Sequence, residues 1–110
     1  MTNLPVVVVG AGPEGLASAA HLLEQGLEPL VLEAGVAAGA SVQQWAHVRT
    51  FSPWSELVDP AAARLLSASG WTQPEEGYPT GGEWVDAYLT PLAAALGDRV
   101  RYGTRVDTYR

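Results

Sequence analysis

Short apolar runs separated by glycine and proline predict an α/β arrangement in the first third of the chain. Residues 4–9 are unbroken apolar sequence with four consecutive valines, which is typical of a buried central strand in a parallel sheet. Residues 16–23 repeat leucine and alanine at helical spacing, and Gly26 suits the end of that helix. Residues 29–33 predict a second short buried strand. The segment is therefore predicted as strand–helix–strand, with a right-handed connection.

The rest of the chain predicts helices followed by one more strand. Asp59 and Pro60 suit a helix start, and Thr80 with Glu83 fits a capping box for a later helix. That later helix has an apolar stripe of Trp84, Tyr88, Leu92 and Leu96, and Pro91 inside it should kink or split it. Residues 99–107 alternate and predict a third strand. The predicted fold class is α/β, a Rossmann-like three-layer parallel sheet of order β-α-β-α-α-β that this chain leaves incomplete.

The turn between the first strand and the first helix reads Gly10-Ala11-Gly12-Pro13-Glu14-Gly15. Glycines at this spacing and in this position are typical of a loop that holds a pyrophosphate. Gly10 allows the tight turn, Gly12 lets phosphate approach the backbone, and Gly15 lets the helix pack closely on the strand. Free N–H groups of the first helical turn would point at the phosphates. The alternative is a β–α turn that uses glycine only to turn.

Glu33 ends the second strand, where a carboxylate can accept hydrogen bonds from ribose hydroxyls. The same carboxylate would repel a 2′-phosphate, which disfavours NADP at this site. FAD and NAD both carry an unmodified adenosine ribose, so these residues leave both dinucleotides open. A solvated strand end is the alternative interpretation of Glu33.

The segment VVVVGAGPEGLA, residues 6–17, resembles the amino-terminal FAD fingerprint of flavoproteins with two dinucleotide domains. These are the flavin-containing monooxygenases and the pyridine-nucleotide-dependent oxidoreductases. The family commonly has a Gly-Gly pair after the ribose acid; Gly39 matches the first position, and Ala40 departs from the second by one methyl. The resemblance implies backbone contacts of Ser41 and Val42 with FAD, and NAD(P)H as the co-substrate.

Residues 45–54 and 78–81 resemble later segments of a bacterial subgroup of flavoprotein oxidoreductases. Arg49 could offset pyrophosphate charge and Trp45 could flank the cofactor; a surface arginine and a packing tryptophan are the alternatives. The residues expected to bind the cofactor are Gly10, Ala11, Gly12, Pro13, Glu14, Gly15, Glu33, Ala34, Gly39, Ser41, Val42, Trp45 and Arg49. No catalytic residue is assigned.

Composition excludes several classes of protein. The 110 residues carry a net charge of −6, with arginine as the only basic residue type and twelve acids against six bases, so we expect no nucleic-acid partner. The absence of cysteine excludes the glutathione-reductase-like branch, whose members carry a redox-active cysteine pair after the Gly-Gly region. With His21 and His47 far apart, a metal site is not expected either. No apolar run is long enough to span a bilayer, so we expect a cytoplasmic protein without a membrane partner.

The sequence therefore predicts that residues 1–110 form the amino-terminal part of an FAD-binding domain, with no second domain. The parent protein would be an enzyme, an FAD-dependent oxidoreductase or monooxygenase, and the chain alone would be inactive. Its partners would be the dinucleotide and either the remainder of the flavoprotein or a second copy bound at the exposed sheet edge. Two alternatives are an NAD-binding dehydrogenase domain and a non-catalytic, truncated dinucleotide-binding module.

Overall fold

The computed structural model describes residues 4–75 and 77–106. Three strands form one parallel sheet in the order β1-β2-β3, with β1 at Val6–Val9, β2 at Pro29–Leu32 and β3 at Val100–Arg101. Helix α1, Pro13–Glu24, connects β1 to β2. The predicted α/β, Rossmann-like class is confirmed.

Six α-helices occur in the described ranges, together with two turns of other helical type. After α1 come α2 at Ala40–Gln43, α3 at Trp54–Leu57, α4 at Pro60–Ser67, α5 at Gly81–Trp84, a π-helical turn at Val85–Leu89, α6 at Thr90–Leu96 and a 3₁₀ turn at Gly97–Arg99. Asp59 caps α4, because its Oδ2 accepts the Ala62 N–H at 3.0 Å. Thr80 and Glu83 form the expected capping box at α5. Both predicted helix starts are confirmed.

The hydrophobic core lies on one face of the sheet, against α1, α4 and α6. Val31 of β2 is fully buried there, and its neighbour Val8 packs against the same core. The helices contribute Leu16, Ala19, Ala20, Ala61, Ala62, Leu66, Leu92, Ala93 and Leu96. The opposite face is exposed, with Val7 at 53% and Val9 at 65% of their full accessibility. In the described part of the chain, nothing supplies the third layer of the expected three-layer sheet.

Two strand predictions are wrong in detail. β1 is an edge of this sheet, and β2 is its central strand, although the valine run predicted a central position for residues 6–9. β3 spans two residues and not the predicted 99–107, because a 3₁₀ turn precedes it and Gly103 adopts a left-handed φ of 62° after it. Position 107 lies outside the described residues. Hydrogen bonds from Gly103 N–H to Gly35 and from Thr104 N–H to Glu33 still hold the segment beside β2.

Pro91 was expected to kink or split the last helical segment, but the segment runs without a gap from Gly81 to Leu96 and changes from π-helical to α-helical at Thr90, one residue before Pro91. Proline has no N–H, so residue 91 cannot donate to the carbonyl of Ala87 one turn earlier. The indole Nε1 of Trp71 donates to that carbonyl instead, at 2.8 Å. The π-helical turn lies just before Pro91, where a widened turn accommodates the interrupted ladder.

We expect Trp71→Phe to lower the free energy of unfolding by about 1 kcal/mol, since it removes one hydrogen bond and keeps an aromatic ring against Tyr88. In a Pro91→Ala background, residue 91 gains an N–H that can reach the Ala87 carbonyl, so the same substitution should have a smaller effect. Urea unfolding of the unmodified chain, the two single variants and the double variant measures this coupling. If Trp71→Phe lowered the free energy of unfolding equally in both backgrounds, an N–H at residue 91 would not replace the Trp71 indole as donor to the Ala87 carbonyl.

Candidate dinucleotide site

The glycine loop leaves β1 at Gly10 and starts α1 without a side-chain cap. Gly10 has a φ of 97°, which favours glycine, and its N–H donates to the Leu32 carbonyl at 2.8 Å. Gly12 is the N-cap of α1, no side chain caps it, and Pro13 occupies the first turn. The N–H groups of Glu14 and Gly15 therefore face the end of the helix without an intrahelical acceptor. This is the arrangement that binds anions at helix N-termini.

Gly12 and Gly15 differ in what surrounds them. A Cβ at Gly12 would meet no atom within 4 Å, so the backbone there borders open space. A Cβ at Gly15 would overlap the carbonyl oxygen of Gly10 and lie 3.4 Å from Cγ1 of Val8. The structure thus offers room for a ligand at Gly12, and requires close packing of helix on strand at Gly15.

Glu33 joins the glycine loop to the loop after β2. Its Oε1 accepts the N–H of Ala11 at 2.7 Å, and its Oε2 accepts the N–H of Gly35 at 2.7 Å. A carboxylate has about four acceptor positions, so roughly two remain for a ligand's hydroxyls. The sequence predicted a ligand contact for Glu33 but did not reveal this second role, because the bond to Ala11 spans distant parts of the chain.

Gly39 fixes the other side of the same loop. Its N–H donates to the Ala11 carbonyl at 2.9 Å, and its φ is 69°. A Cβ at this position would lie 3.0 Å from Cγ2 of Val85 and 3.1 Å from Cδ1 of Leu89, both in the π-helical turn. Glycine is thus required here by backbone conformation and by packing. Ala11 is held by Glu33 on its N–H and by Gly39 on its carbonyl.

The other predicted site residues differ in how exposed they are. Ala34 and Ser41 are exposed, whereas Val42 is buried in the core, which leaves only its backbone for a ligand. Trp45 packs against Trp84, with ring centroids 6.3 Å apart. Arg49 is exposed and its Nη1 donates to the carbonyl of Tyr78 at 2.5 Å. The structure brings the glycine loop, Glu33 and Gly39 together; across residues 4–75 and 77–106, no hydrogen bond connects Arg49 to them.

The two segments that carried the bacterial resemblance lie side by side. Thr50 N–H donates to the Pro79 carbonyl at 2.8 Å, and Gly81 N–H donates to the Val48 carbonyl at 2.9 Å. Arg49 and Thr80 form an antiparallel bridge between these two bonds. Trp45 lies over Gly81, where a Cβ would be 2.6 Å from the indole ring. Trp45 and Arg49 therefore lie in two paired segments, residues 45–54 and 78–81, and their predicted contact with the cofactor stays a prediction.

Tyr102 is a neighbour of the site that the sequence did not indicate. It directly follows β3, and the bonds of Gly103 and Thr104 to residues 33–35 place it beside Glu33. Partial burial, and to a lesser extent the negative charge of Glu33, raises the pKa of Tyr102. The sequence offered one signal for Tyr102: it follows the third predicted strand, and parallel strands end at the same edge of a sheet.

The residues present fit a dinucleotide. Open space at Gly12, uncapped N–H groups at the start of α1 and unused acceptor positions on Glu33 occur together around Ala11. The family model for pyridine nucleotide-disulphide oxidoreductases matches residues 7–108 of the chain. The chain belongs to this family. Its members are FAD-dependent oxidoreductases and monooxygenases with a Rossmann-type fold.

A curated relative of this chain is the indole-3-pyruvate monooxygenase of Oryza sativa subsp. japonica, 34% identical over 103 residues. The match covers 92% of the chain and 23% of that protein. The chain therefore spans about a quarter of the length of this relative.

Three solved structures show the same fold. A bacillithiol disulfide reductase from Bacillus cereus superposes with a TM-score of 0.70 at 24% identity, over 93% of this chain and 29% of that one. OTEMO, solved with FAD and NADP, has a TM-score of 0.69 at 23% identity, over 93% and 19%. A flavin monooxygenase from Stenotrophomonas maltophilia has a TM-score of 0.65 at 27% identity, over 96% and 30%.

Within the described ranges, no helix is long and apolar enough to cross a bilayer.

Proposed function

We propose that this chain binds the ADP half of FAD and forms the amino-terminal part of the FAD domain in a flavin-dependent, NAD(P)H-using oxidoreductase or monooxygenase. One observation carries the proposal. The uncapped start of α1, the open backbone at Gly12 and the carboxylate of Glu33 meet around Ala11. Such a combination suits a pyrophosphate beside a ribose.

Each group has a separate task. The N–H groups at the start of α1 would donate to pyrophosphate oxygens, and the helix dipole favours the negative charge there. The remaining acceptor positions on Glu33 would take hydrogen bonds from ribose hydroxyls and repel a 2′-phosphate. FAD, when bound, supplies the electron-transfer chemistry. The chain's own residues bind and orient the adenine-nucleotide half, and none of them is assigned a proton-transfer step.

NAD is the second candidate ligand, because Glu33 would serve the ribose of either dinucleotide. Support for FAD comes from the family and from OTEMO, a structural neighbour that was solved with FAD and NADP. The absence of cysteine in this chain agrees with a monooxygenase-like member more than with one that uses a cysteine pair in this segment.

The remainder of a flavoprotein is the partner we propose for the exposed side of the sheet. Val7 and Val9 on this face are exposed by 53% and 65%, and no charged residue occurs among residues 4–13. Parallel sheets are normally covered on both faces, so an apolar sheet face exposed to solvent indicates that another layer packs on it. The chain spans only 19–30% of its structural neighbours, which leaves ample sequence to supply a covering layer.

Calorimetric titration of the chain with ADP, FAD, NAD and adenosine 2′,5′-bisphosphate tests the proposal. We expect ADP and FAD to bind and the 2′-phosphorylated nucleotide to bind at least tenfold more weakly, because Glu33 faces the 2′ position. We also expect no NADPH oxidation by the chain alone. Binding of NAD without FAD would favour the dehydrogenase alternative, and binding of neither ADP nor FAD would refute the proposed function.

A further inference from the structure

The glycine loop contains a single charged side chain, and its charge has the same sign as that of a phosphate. Between residue 4 and Gly15, Glu14 is the only charged residue. It is exposed and lies in the first turn of α1. An acidic residue in this turn is favoured by the helix dipole. The same carboxylate lies beside the proposed pyrophosphate position, where its charge opposes that of the ligand.

Covalent geometry keeps the Glu14 carboxylate close to that position in every rotamer. The N–H of Glu14 is one of the groups proposed to donate to the pyrophosphate. A glutamate carboxylate oxygen lies at most about 6 Å from the nitrogen of its own residue, and a phosphate oxygen that accepts the N–H lies about 2.9 Å from that nitrogen. The carboxylate and phosphate oxygens are therefore no more than about 9 Å apart, which is close to the Debye length of about 8 Å at physiological salt.

The surroundings of Glu14 do not neutralise its charge. Glu14 borders a solvent-open cavity of about 450 Å³, which is also lined by Pro13, residues 55–60, Trp84 and Tyr88. The lining includes two further acids, Glu56 and Asp59, and no arginine or histidine. Within the described part of the chain, the Glu14 side chain forms no ion pair. The helix start that is proposed to bind an anion therefore has negative charge at its border.

Nucleotides that share the ADP group differ in the charge that they would bring to this position. In FAD, NAD and ADP-ribose both phosphates are linked on two sides, and each carries one negative charge. The terminal phosphate of ADP is linked on one side only, so its charge at pH 7 is about −1.5 to −2, as in a phosphorylated side chain. ADP therefore brings roughly one negative charge more than a dinucleotide does, and ATP roughly two.

We propose that Glu14 is a specificity-determining residue of the dinucleotide site, which selects pyrophosphate diesters against free ADP and ATP. This inference rests on the proposed function and adds a selection that the backbone N–H groups of the glycine loop do not make. Repulsion by the Glu14 carboxylate grows with the charge of the ligand, so it weakens ADP and ATP binding more than FAD or ADP-ribose binding. Glu33 makes a different selection, because it is proposed to face the 2′ position of the ribose.

Calorimetric titration of the unmodified chain and of Glu14→Gln with ADP-ribose, ADP and ATP tests the inference. ADP-ribose has the diester pyrophosphate of a dinucleotide and carries neither flavin nor nicotinamide. At low salt we expect Glu14→Gln to bind ADP-ribose about twofold more tightly, ADP about three- to fivefold more tightly, and ATP more tightly still, the range for one exposed charge interaction. In 1 M salt the Debye length falls to about 3 Å, so these gains should largely disappear.

Asp98→Asn is the matched control, because it also removes one negative charge. Asp98 lies in the 3₁₀ turn that precedes β3, at the opposite end of the parallel strands from the glycine loop. All three affinities should stay within about 1.5-fold of those of the unmodified chain, since this distance exceeds the Debye length at moderate salt. A gain in Asp98→Asn equal to that in Glu14→Gln would assign the effect to net charge and overturn the inference.

The order of the gains distinguishes selection by charge from a structural role of Glu14. Equal gains for the three ligands, or no gain at low salt, would overturn the inference and leave the proposed function standing. Weaker binding of all three ligands to Glu14→Gln would show that the carboxylate supports the loop and would also overturn the inference. If the unmodified chain binds neither ADP-ribose nor ADP, the proposed function fails and the inference fails with it.

Discussion

Gly15→Ala should destabilise the chain by about 3 kcal/mol or prevent folding, because the new Cβ would overlap the carbonyl oxygen of Gly10. That oxygen belongs to backbone held by the bond from Gly10 N–H to Leu32, so it cannot move aside as a flexible side chain could. Helix α1 would have to shift away from β1, and the contacts of Leu16 in the core would be lost. Urea unfolding followed by circular dichroism measures the change.

Gly12→Ala is the matched control for Gly15→Ala. Its Cβ would meet nothing within 4 Å, and the φ of −88° at Gly12 is accessible to alanine. We therefore expect the stability to change by less than about 1 kcal/mol. Binding of ADP should fall at least tenfold, since the methyl group would occupy the space proposed for the phosphate beside the backbone. If Gly12→Ala bound ADP normally, or if Gly15→Ala were as stable as the unmodified chain, the assignment of separate roles to these glycines would be wrong.

Glu33→Gln should lower both stability and nucleotide affinity. The glutamine side chain has one carbonyl oxygen and one NH₂ group, so one of the two N–H groups, of Ala11 or Gly35, would face a donor. Loss of a charge-assisted hydrogen bond of this kind costs about 2–3 kcal/mol. Affinity for ADP should fall about tenfold, because the proposed ribose contact would lose an ionised acceptor and the glycine loop would lose a hydrogen bond at Ala11.

Two measurements separate the effects of charge and position at Glu33. Glu75→Gln removes an exposed carboxylate elsewhere and should change neither the unfolding midpoint nor ADP affinity. Discrimination against adenosine 2′,5′-bisphosphate should narrow in Glu33→Gln, because the repulsion of the 2′-phosphate disappears. Unaltered discrimination would show that Glu33 does not face the ribose.

Local signals predicted much of the fold. The glycine loop between a valine strand and a leucine-alanine helix, the Asp59 cap and the Thr80–Glu83 capping box each depend on residues within one or two turns. Pro91 was expected to interrupt its helix because proline has no backbone N–H and its ring clashes with the preceding turn. The structure adds the consequence, a π-helical turn whose Ala87 carbonyl is satisfied by Trp71.

The strand order could not be read from hydrophobicity alone. Four valines suit a central strand. β1 is nevertheless an edge strand, because β2 pairs with one side of it and no described strand pairs with the other side. Hydrophobicity records what a strand tends to bury, and only the pairing of distant segments decides which face and edge are covered. Arg49 shows the same limit, since its side chain bonds the Tyr78 carbonyl, which lies 29 positions along the chain.

By itself the sequence determined the fold class, the position of the glycine loop, the acidic residue after the second strand and the helix starts, because each follows from backbone conformation and hydrogen bonding over short spans. Tertiary structure alone decided that Glu33 and Gly39 both clamp Ala11, that Trp45 packs on Trp84, and that Trp84 and Tyr88 border a cavity beside α1. These relations join residues that are distant in the chain. They arise from how the helices pack on one face of the sheet, which no local pattern encodes.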